Sequence, residues 1–266
     1  MGKLIDYVEI NPKQTFSRGV SYPFIEMKDL VPNNKFVMSN QQKTYAGSGS
    51  KFQKGDTLFA RITPCLENGK TSQFYSDKFE EGFGSSEFII LREKKGKSLN
   101  DYIYYLCRTK IFREYAIQNM IGTSGRQRVP NEIIASFEYS FPSIKEQEKI
   151  IKILNPLDNK IENNKKINQI LEEIAKSIFK SWFIDFDPVR AKAQGHSTGL
   201  PDEISALFPS SFEDSELGEI PRHWINSPIS ELIEINPTRK IAKNTVAPFL
   251  EMKGVPTSGH TVTGVY

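Results

Sequence analysis

The chain has 266 residues, 38% of them hydrophobic and 25% charged, with a formal net charge of +3; this is the balance of a globular protein, without the apolar run of about 18 residues that a membrane span requires. Two cysteines (Cys65, Cys107) and three histidines with no ligand spacing among them argue against a disulfide framework and a thiolate metal centre. With no charged-then-apolar leader, the sequence points to a cytoplasmic protein with reduced structural thiols, and its mildly basic charge leans only weakly towards a polyanionic partner.

From Met1 to about Pro142 the chain is dense in Gly, Ser, Phe and Tyr, with alternating runs such as DTLFARI (Asp56 to Ile62) and SEFIILR (Ser86 to Arg92). Alternation bounded by KGD and GFGSS predicts strands joined by turns. At LNDYIYYLCRTKIFREYAIQNM (Leu99 to Met120) apolar residues recur at steps of three and four, which predicts helix and makes the unit a mixed α and β domain. The clusters AGSGS (Ala46 to Ser50) and GFGSS (Gly82 to Ser86) lack the spacing of a phosphate-cradling loop and read as tight turns.

A different pattern follows in NPLDNKIENNKKINQILEEIAKSIFKSWF. Asn155 suits an N-cap, Pro156 a first helical residue and Asp158 the positive end of the helix dipole, so a helix is expected to start here. With Leu157 at heptad position a, Asn164, Leu171 and Ile178 fall at later a positions, Ile167 and Ile174 at d, and Ile161 beside the seam. The stripe persists for nearly four heptads, about 40 Å at the helical rise. A helix lying on its own domain would also carry a stripe. The long polar face (Lys160, Glu162, Lys165, Glu172, Lys176) favours a partner helix, with Asn164 fixing register. Trp182, Phe183 and Phe186 continue the seam and read as packing residues rather than a base-stacking platform.

Asp187 to Trp224 is rich in Pro, Gly and Ser and reads as a linker without a core of its own. Beyond it, EINPTRKIAKNTVAPFLEMKGV (Glu234 to Val255) repeats EINPKQTFSRGVSYPFIEMKDL (Glu9 to Leu30) without a gap, Glu234 answering to Glu9, with matches at EINP, PF and EMK. The order is a globular unit, a long helix, a linker and the start of a second unit.

The run LEEIAKSIFKSWFIDFDPVRAK with its GLP, then LFPSSFEDSELGEIPRHW, resembles the first central conserved region and linker of type I restriction-modification specificity subunits. Upstream, KGDTLFARITPCLENGK, GFGSSEFIILR and GTSGRQRVP leading into FPSIKEQEKI look like a target recognition domain of that family. The resemblance implies an α+β fold, with a target recognition domain (residues 1–145), a long coiled-coil helix (146–186), a linker (187–223) and an incomplete second recognition domain (224–266). In this family one such domain serves each half of a bipartite DNA site. The repeated stretches would be the matching entrances to the two domains. This chain departs from the family pattern in breaking off its second domain at Tyr266, with no second long helix.

The resemblance implies no catalysis by the chain, and its residues agree. Asn11-Pro12-Lys13 and Asn236-Pro237-Thr238 lack the second Pro and the aromatic of an adenine methyltransferase motif, and no P-loop or nucleophile elbow is present. S-adenosylmethionine, ATP and magnesium are expected only in methyltransferase and restriction partner subunits. The candidate contacts to double-stranded DNA are Arg126, Gln127 and Arg128, with Ser124 beside them in GTSGRQRVP. Arginine chelates guanine or phosphate and glutamine pairs with an adenine edge, although a solvated basic loop would have the same composition. Arg61, Asn68, Lys70 and Thr71, in the hairpin ARITPCLENGKTS, form a second set, where Asn68-Gly69 is equally a favoured turn pair. Lys51 and Lys54 are lesser phosphate candidates. Leu157, Ile161, Asn164, Ile167, Leu171, Ile174, Ile178 and Trp182 are expected to form a helix interface, within a homodimer that reads a palindromic gapped site. The rival expectation is a fragment that reads no DNA and only binds methyltransferase or intact specificity subunits.

Overall fold

The computed structural model describes every residue except 124, 217, 253, 254 and 256–266. Contacts divide it into two compact units, Met1–Glu172 and Glu173–Tyr266. The strands of the first unit are β1 (Gly2–Lys3), β2 (Val8–Ile10), β3 (Ser21–Ile25), β4 (Phe36–Val37), β5 (Gln42–Thr44), β6 (Ser50–Gln53), β7 (Thr57–Ala60), β8 (Thr71–Phe74), β9 (Glu81–Gly84), β10 (Phe88–Glu93) and β11 (Glu138–Tyr139). Its helices are α1 (Leu4–Tyr7), α2 (Asn100–Arg108), α3 (Lys110–Gln118), α4 (Asn131–Ser136) and the greater part of α5 (Ile144–Phe183).

One sheet has the order β2-β10-β7-β8-β4 and a second the order β5-β3-β9-β6. Successive side chains of a strand point to opposite faces, and β7 and β10 are buried on both. Phe59, Ile89 and Leu91 pack with Tyr102, Ile103, Leu106 and Phe112 from α2 and α3. Their neighbours Leu58, Ile90 and Phe88 join Ile25, Phe52 and Phe74 in a separate core. Each fully buried side chain of this size contributes roughly 1.5–3 kcal/mol. The sheet is thus held between helices on one face and the second sheet on the other.

Four expectations need correction. The periodic stretch from Leu99 to Met120 is two helices, because Thr109 takes extended backbone (ψ 147°) and its hydroxyl caps α3 by accepting from the Phe112 amide at 3.3 Å. The cluster GFGSS is not simply a turn. Gly82 and Gly84 lie in β9, where a Cβ on Gly84 would collide with the Ile25 carbonyl oxygen of β3. The long helix begins at Ile144, so Asn155 and Pro156 lie inside it. Asn155 is no N-cap: its side chain accepts from Lys35 (2.6 Å), lies 2.8 Å from the Tyr105 hydroxyl and donates to Asp101 (2.8 Å). Finally, Thr71 is a β8 strand residue only 3% exposed and paired with Phe59, so it cannot reach a base edge.

The second unit contains the C-terminal end of α5, then α6 (Asp187–Ala193), α7 (Asp202–Ser205), a hairpin of β12 (Phe212–Ser215) and β13 (Gly218–Pro221), and α8 (Ile229–Leu232). The expected linker therefore has a small core. Trp182 meets Phe208 edge-on at 5.6 Å, Phe183 stacks on Trp224 at 6.1 Å, Phe186 meets Trp224 at 5.6 Å, and Val189 is fully buried. These aromatics pack, as the sequence suggested.

The repeat holds in local conformation. Helix α8 starts at Ile229, the position that the alignment of Glu234 with Glu9 pairs with Leu4, where α1 starts. Asn11 and Asn236 share a left-handed backbone (φ 47° and 54°), as do Gly19 and Asn244 (φ 82° and 68°). Burial does not repeat: Leu4 and Val8 are fully buried, whereas their counterparts Ile229 and Ile233 are 62% and 54% exposed.

Candidate nucleic-acid interface

The two stretches singled out for DNA contact, 60–72 and 122–130, are brought side by side. Ile62 and Ile121 each bridge to Arg128. The Thr63 amide donates to the Gln127 carbonyl (3.0 Å), and the Val129 amide to the Arg61 carbonyl (2.9 Å). The turn after β7 and the loop after α3, which β8, β9, β10, α2 and α3 separate in the chain, therefore form one surface.

On that surface the candidates fare differently. Arg126 is exposed and Gln127 half-buried, with the Gln127 carbonyl already in use. Arg128 is committed: its guanidinium donates to the Glu87 carboxylate at 2.7–3.0 Å, a hydrogen-bonded ion pair that raises its pKa above the ordinary value. Arg128 thus reaches a base only by leaving Glu87, and the pair ties the loop after α3 to the turn between β9 and β10. Ser124 lies outside the described residues. Asn68 is exposed at the turn. Lys70 donates to the Met27 carbonyl (2.8 Å), which ties the hairpin to the residues after β3. Lys54 lies over the Tyr75 ring at 5.1 Å.

Arg61 and Lys51 belong to a feature that sequence reading did not assemble. They line a groove of about 520 Å³ together with Asn11, Lys13, Gln14, Thr15, Gly49 and Ser86, and none of its lining residues is acidic. Lys51 donates to the Gln14 carbonyl (2.9 Å) and lies over the Tyr45 ring at 5.2 Å. The Arg61 Nε is buried without a hydrogen-bond partner, and among the described residues no carboxylate pairs with Arg61, Lys13 or Lys51. A partly buried cation is ordinarily paired; Arg61 and Lys51 are half-buried and Lys13 exposed, and three cations without a carboxylate around one groove are an arrangement suited to an anion. Lys13 and Gln14 were missed because their signal is indirect: they follow the repeated EINP.

The long helix meets its own domain through Ile150 and Ile151, which pack against the core, and beyond them through polar side chains. Lys35, 2% exposed, donates to Asn155 and forms an ion pair with Asp101 at 2.7 Å, within reach of the Phe36, Tyr104 and Tyr105 rings. The Tyr105 hydroxyl donates to Asp158 (2.7 Å), and burial first, then this hydrogen bond, pushes its pKa up. Lys165 reaches Asn34 and Glu162. The apolar stripe faces solvent instead: Leu157, Ile161, Ile167, Leu171, Ile174 and Ile178 are each 42–58% exposed, and Asn164 is exposed beside them. No helix among the described residues is long and apolar enough to cross a membrane.

A family model described as the type I restriction modification DNA specificity domain matches residues 4–173. The type I restriction enzyme HindI specificity subunit of Haemophilus influenzae is 35% identical over 196 residues, covering 70% of this chain and 41% of that protein. The MjaIX specificity subunit of Methanocaldococcus jannaschii is 34% identical over 260 residues, covering 93% and 53% respectively. A crystal structure of the HsdS subunit from Thermoanaerobacter tengcongensis superposes with a TM-score of 0.46 at 14% identity, covering 66% of this chain and 43% of that one. The chain spans about half the length of the curated relatives it matches.

Proposed function

Since the chain belongs to the family of type I restriction-modification DNA specificity domains, we propose that its first unit reads one half of a bipartite double-stranded DNA site for partner methyltransferase and restriction subunits. One observation carries this reading: residues 61–69 and 121–128 form a single surface beside an anion-ready groove. A sequence reader needs both functions, since phosphate contacts position the protein and base contacts specify the site. Arg126, Gln127 and Asn68 are the side chains on this surface suited to base edges.

The helix α5 then serves as a spacer. Its domain-facing side is anchored by Ile150 and Ile151 and then by polar contacts, and its exposed apolar stripe is left for a second helix of like pattern. A second copy of this chain supplies such a helix, and two-fold symmetry would present two identical readers to a palindromic gapped site. The chain performs no chemistry in this scheme; methyl transfer, ATP hydrolysis and their cofactors belong to the partners.

The test is methylation mapping in cells that express the cognate methyltransferase subunit with and without this chain. A gapped adenine-methylated motif that depends on the chain is expected. A chain that co-purifies with the methyltransferase yet produces no motif would refute the reading in favour of a partner-binding role alone.

A further inference from the structure

The groove lined by Lys13, Lys51 and Arg61 has a narrower meaning than general basicity, and the repeat supplies it. Asn11 closes the edge of the first sheet: its amide donates to the Ile90 carbonyl (2.8 Å) and its side-chain oxygen accepts from the Ile90 amide (2.9 Å). A left-handed residue is needed there (φ 47°), and asparagine adopts that conformation more readily than other residues with a side chain. Pro12 follows with its fixed backbone, and Lys13, Gln14 and Thr15 then run along the groove. The opposite wall is Gly49 to Lys51, where Gly49 (φ 102°) lies so close to the Gly84 carbonyl that a Cβ would collide with it. Both walls are thus fixed by backbone, and the cations come from three separate segments.

We propose that this groove grips a phosphodiester of the DNA backbone independently of sequence, and that the repeated Asn-Pro turn delivers one such grip per recognition unit. The proposal rests on the DNA-reading function above and assigns this part of its surface. It gives the repeat a physical reason. Two units that read different half-sites must differ where they touch bases but can share whatever touches phosphate. In the second copy Asn236 keeps the left-handed turn, and Thr238, Arg239 and Lys240 stand where Lys13, Gln14 and Thr15 stand in the first. The individual residues change while cationic character after the turn is retained, as expected for a contact governed by charge rather than by base-edge geometry.

The test uses the full chain and duplexes of about 30 base pairs with unrelated sequences, titrated by fluorescence anisotropy over a range of potassium chloride concentrations. For Lys13→Ala and Arg61→Gln, the slope of log affinity against log salt should fall by about 0.9 each, and by about twice that in the double variant. Affinity should drop by a similar factor on every duplex, with Arg61→Lys largely restoring it. Circular dichroism confirms that the variants fold. Unchanged slopes, in a chain that otherwise binds DNA with steep salt dependence, would overturn this assignment and leave the DNA-reading proposal standing. A wild-type chain without salt-dependent DNA binding would overturn both. Calorimetric binding of inorganic phosphate that Arg61→Gln abolishes, with no effect of that variant on DNA, would reassign the groove to a small oxyanion. Loss confined to one duplex sequence would make Arg61 a base reader instead.

Discussion

The Lys35 cluster is the most exposed to quantitative test, because its two charged members differ in environment. The Lys35 side chain is 1% exposed and that of Asp101 34%. Asp101→Asn keeps the volume and leaves an ammonium buried against Asn155, Tyr105 and three rings. Breaking a buried pair by removing one charge costs about 3–5 kcal/mol, and the retained hydrogen bonds and cation–π contacts, about 0.5–2 kcal/mol each, reduce this to about 2–3 kcal/mol. Lys35→Met also keeps the volume, but the stranded carboxylate is one third exposed and rehydrates, so the loss should be about 1 kcal/mol. The double variant should resemble Lys35→Met, giving a coupling energy of about 2–3 kcal/mol. Urea unfolding followed by far-ultraviolet circular dichroism measures these differences, with 2–3 kcal/mol shifting the midpoint by about 1 M. Trp182 and Trp224 both lie in the second unit, so their fluorescence transition is expected to stay in place and serves as an internal control. If Asp101→Asn costs no more than Lys35→Met, the ammonium does not depend on this carboxylate and the account of the cluster is wrong.

Thr57 is fully buried in β7 and its hydroxyl has no hydrogen-bond partner among the described residues; Thr57→Val should raise the stability of the first unit by up to about 1 kcal/mol in the same urea assay. Cys107 is fully buried, and burial pushes its thiol well above the ordinary range, whereas Cys65 is only half-buried; a thiol-specific reagent should label one cysteine per native chain and two in urea, and rapid labelling of both in the native state would contradict this. Leu171, 56% exposed on the helix, should tolerate Glu with a stability change within about 0.5 kcal/mol, while the same substitution abolishes any oligomer seen for the wild type by light scattering.

Several features were legible in the sequence because they depend on residues close together in the chain. The strands around Leu58 and Ile90 show as short apolar runs bounded by turn residues, the turn before Thr71 as Asn68-Gly69, and the long helix as a heptad stripe. The repeat of EINP carries its left-handed asparagine into both copies, since a turn conformation needs only its own few residues. Thr109 shows the limit of periodicity: the apolar pattern runs on through it, yet a single extended residue with a capping hydroxyl starts a new helix.

What the sequence by itself determined was the order of elements, the family and the apolar stripe of the long helix. Tertiary structure alone decided which candidates can act. It buried Thr71, committed Arg128 to Glu87, joined residues 61–69 to 121–128, and collected Lys13, Lys51 and Arg61 around one groove. It also placed the helix start at Ile144 by giving Asn155 three partners at positions 35, 101 and 105. These pairings join segments far apart in the chain, whose closure costs entropy that no local pattern records. They form because the central sheet must bury both faces at once, and the neighbours of each polar side chain follow from that packing.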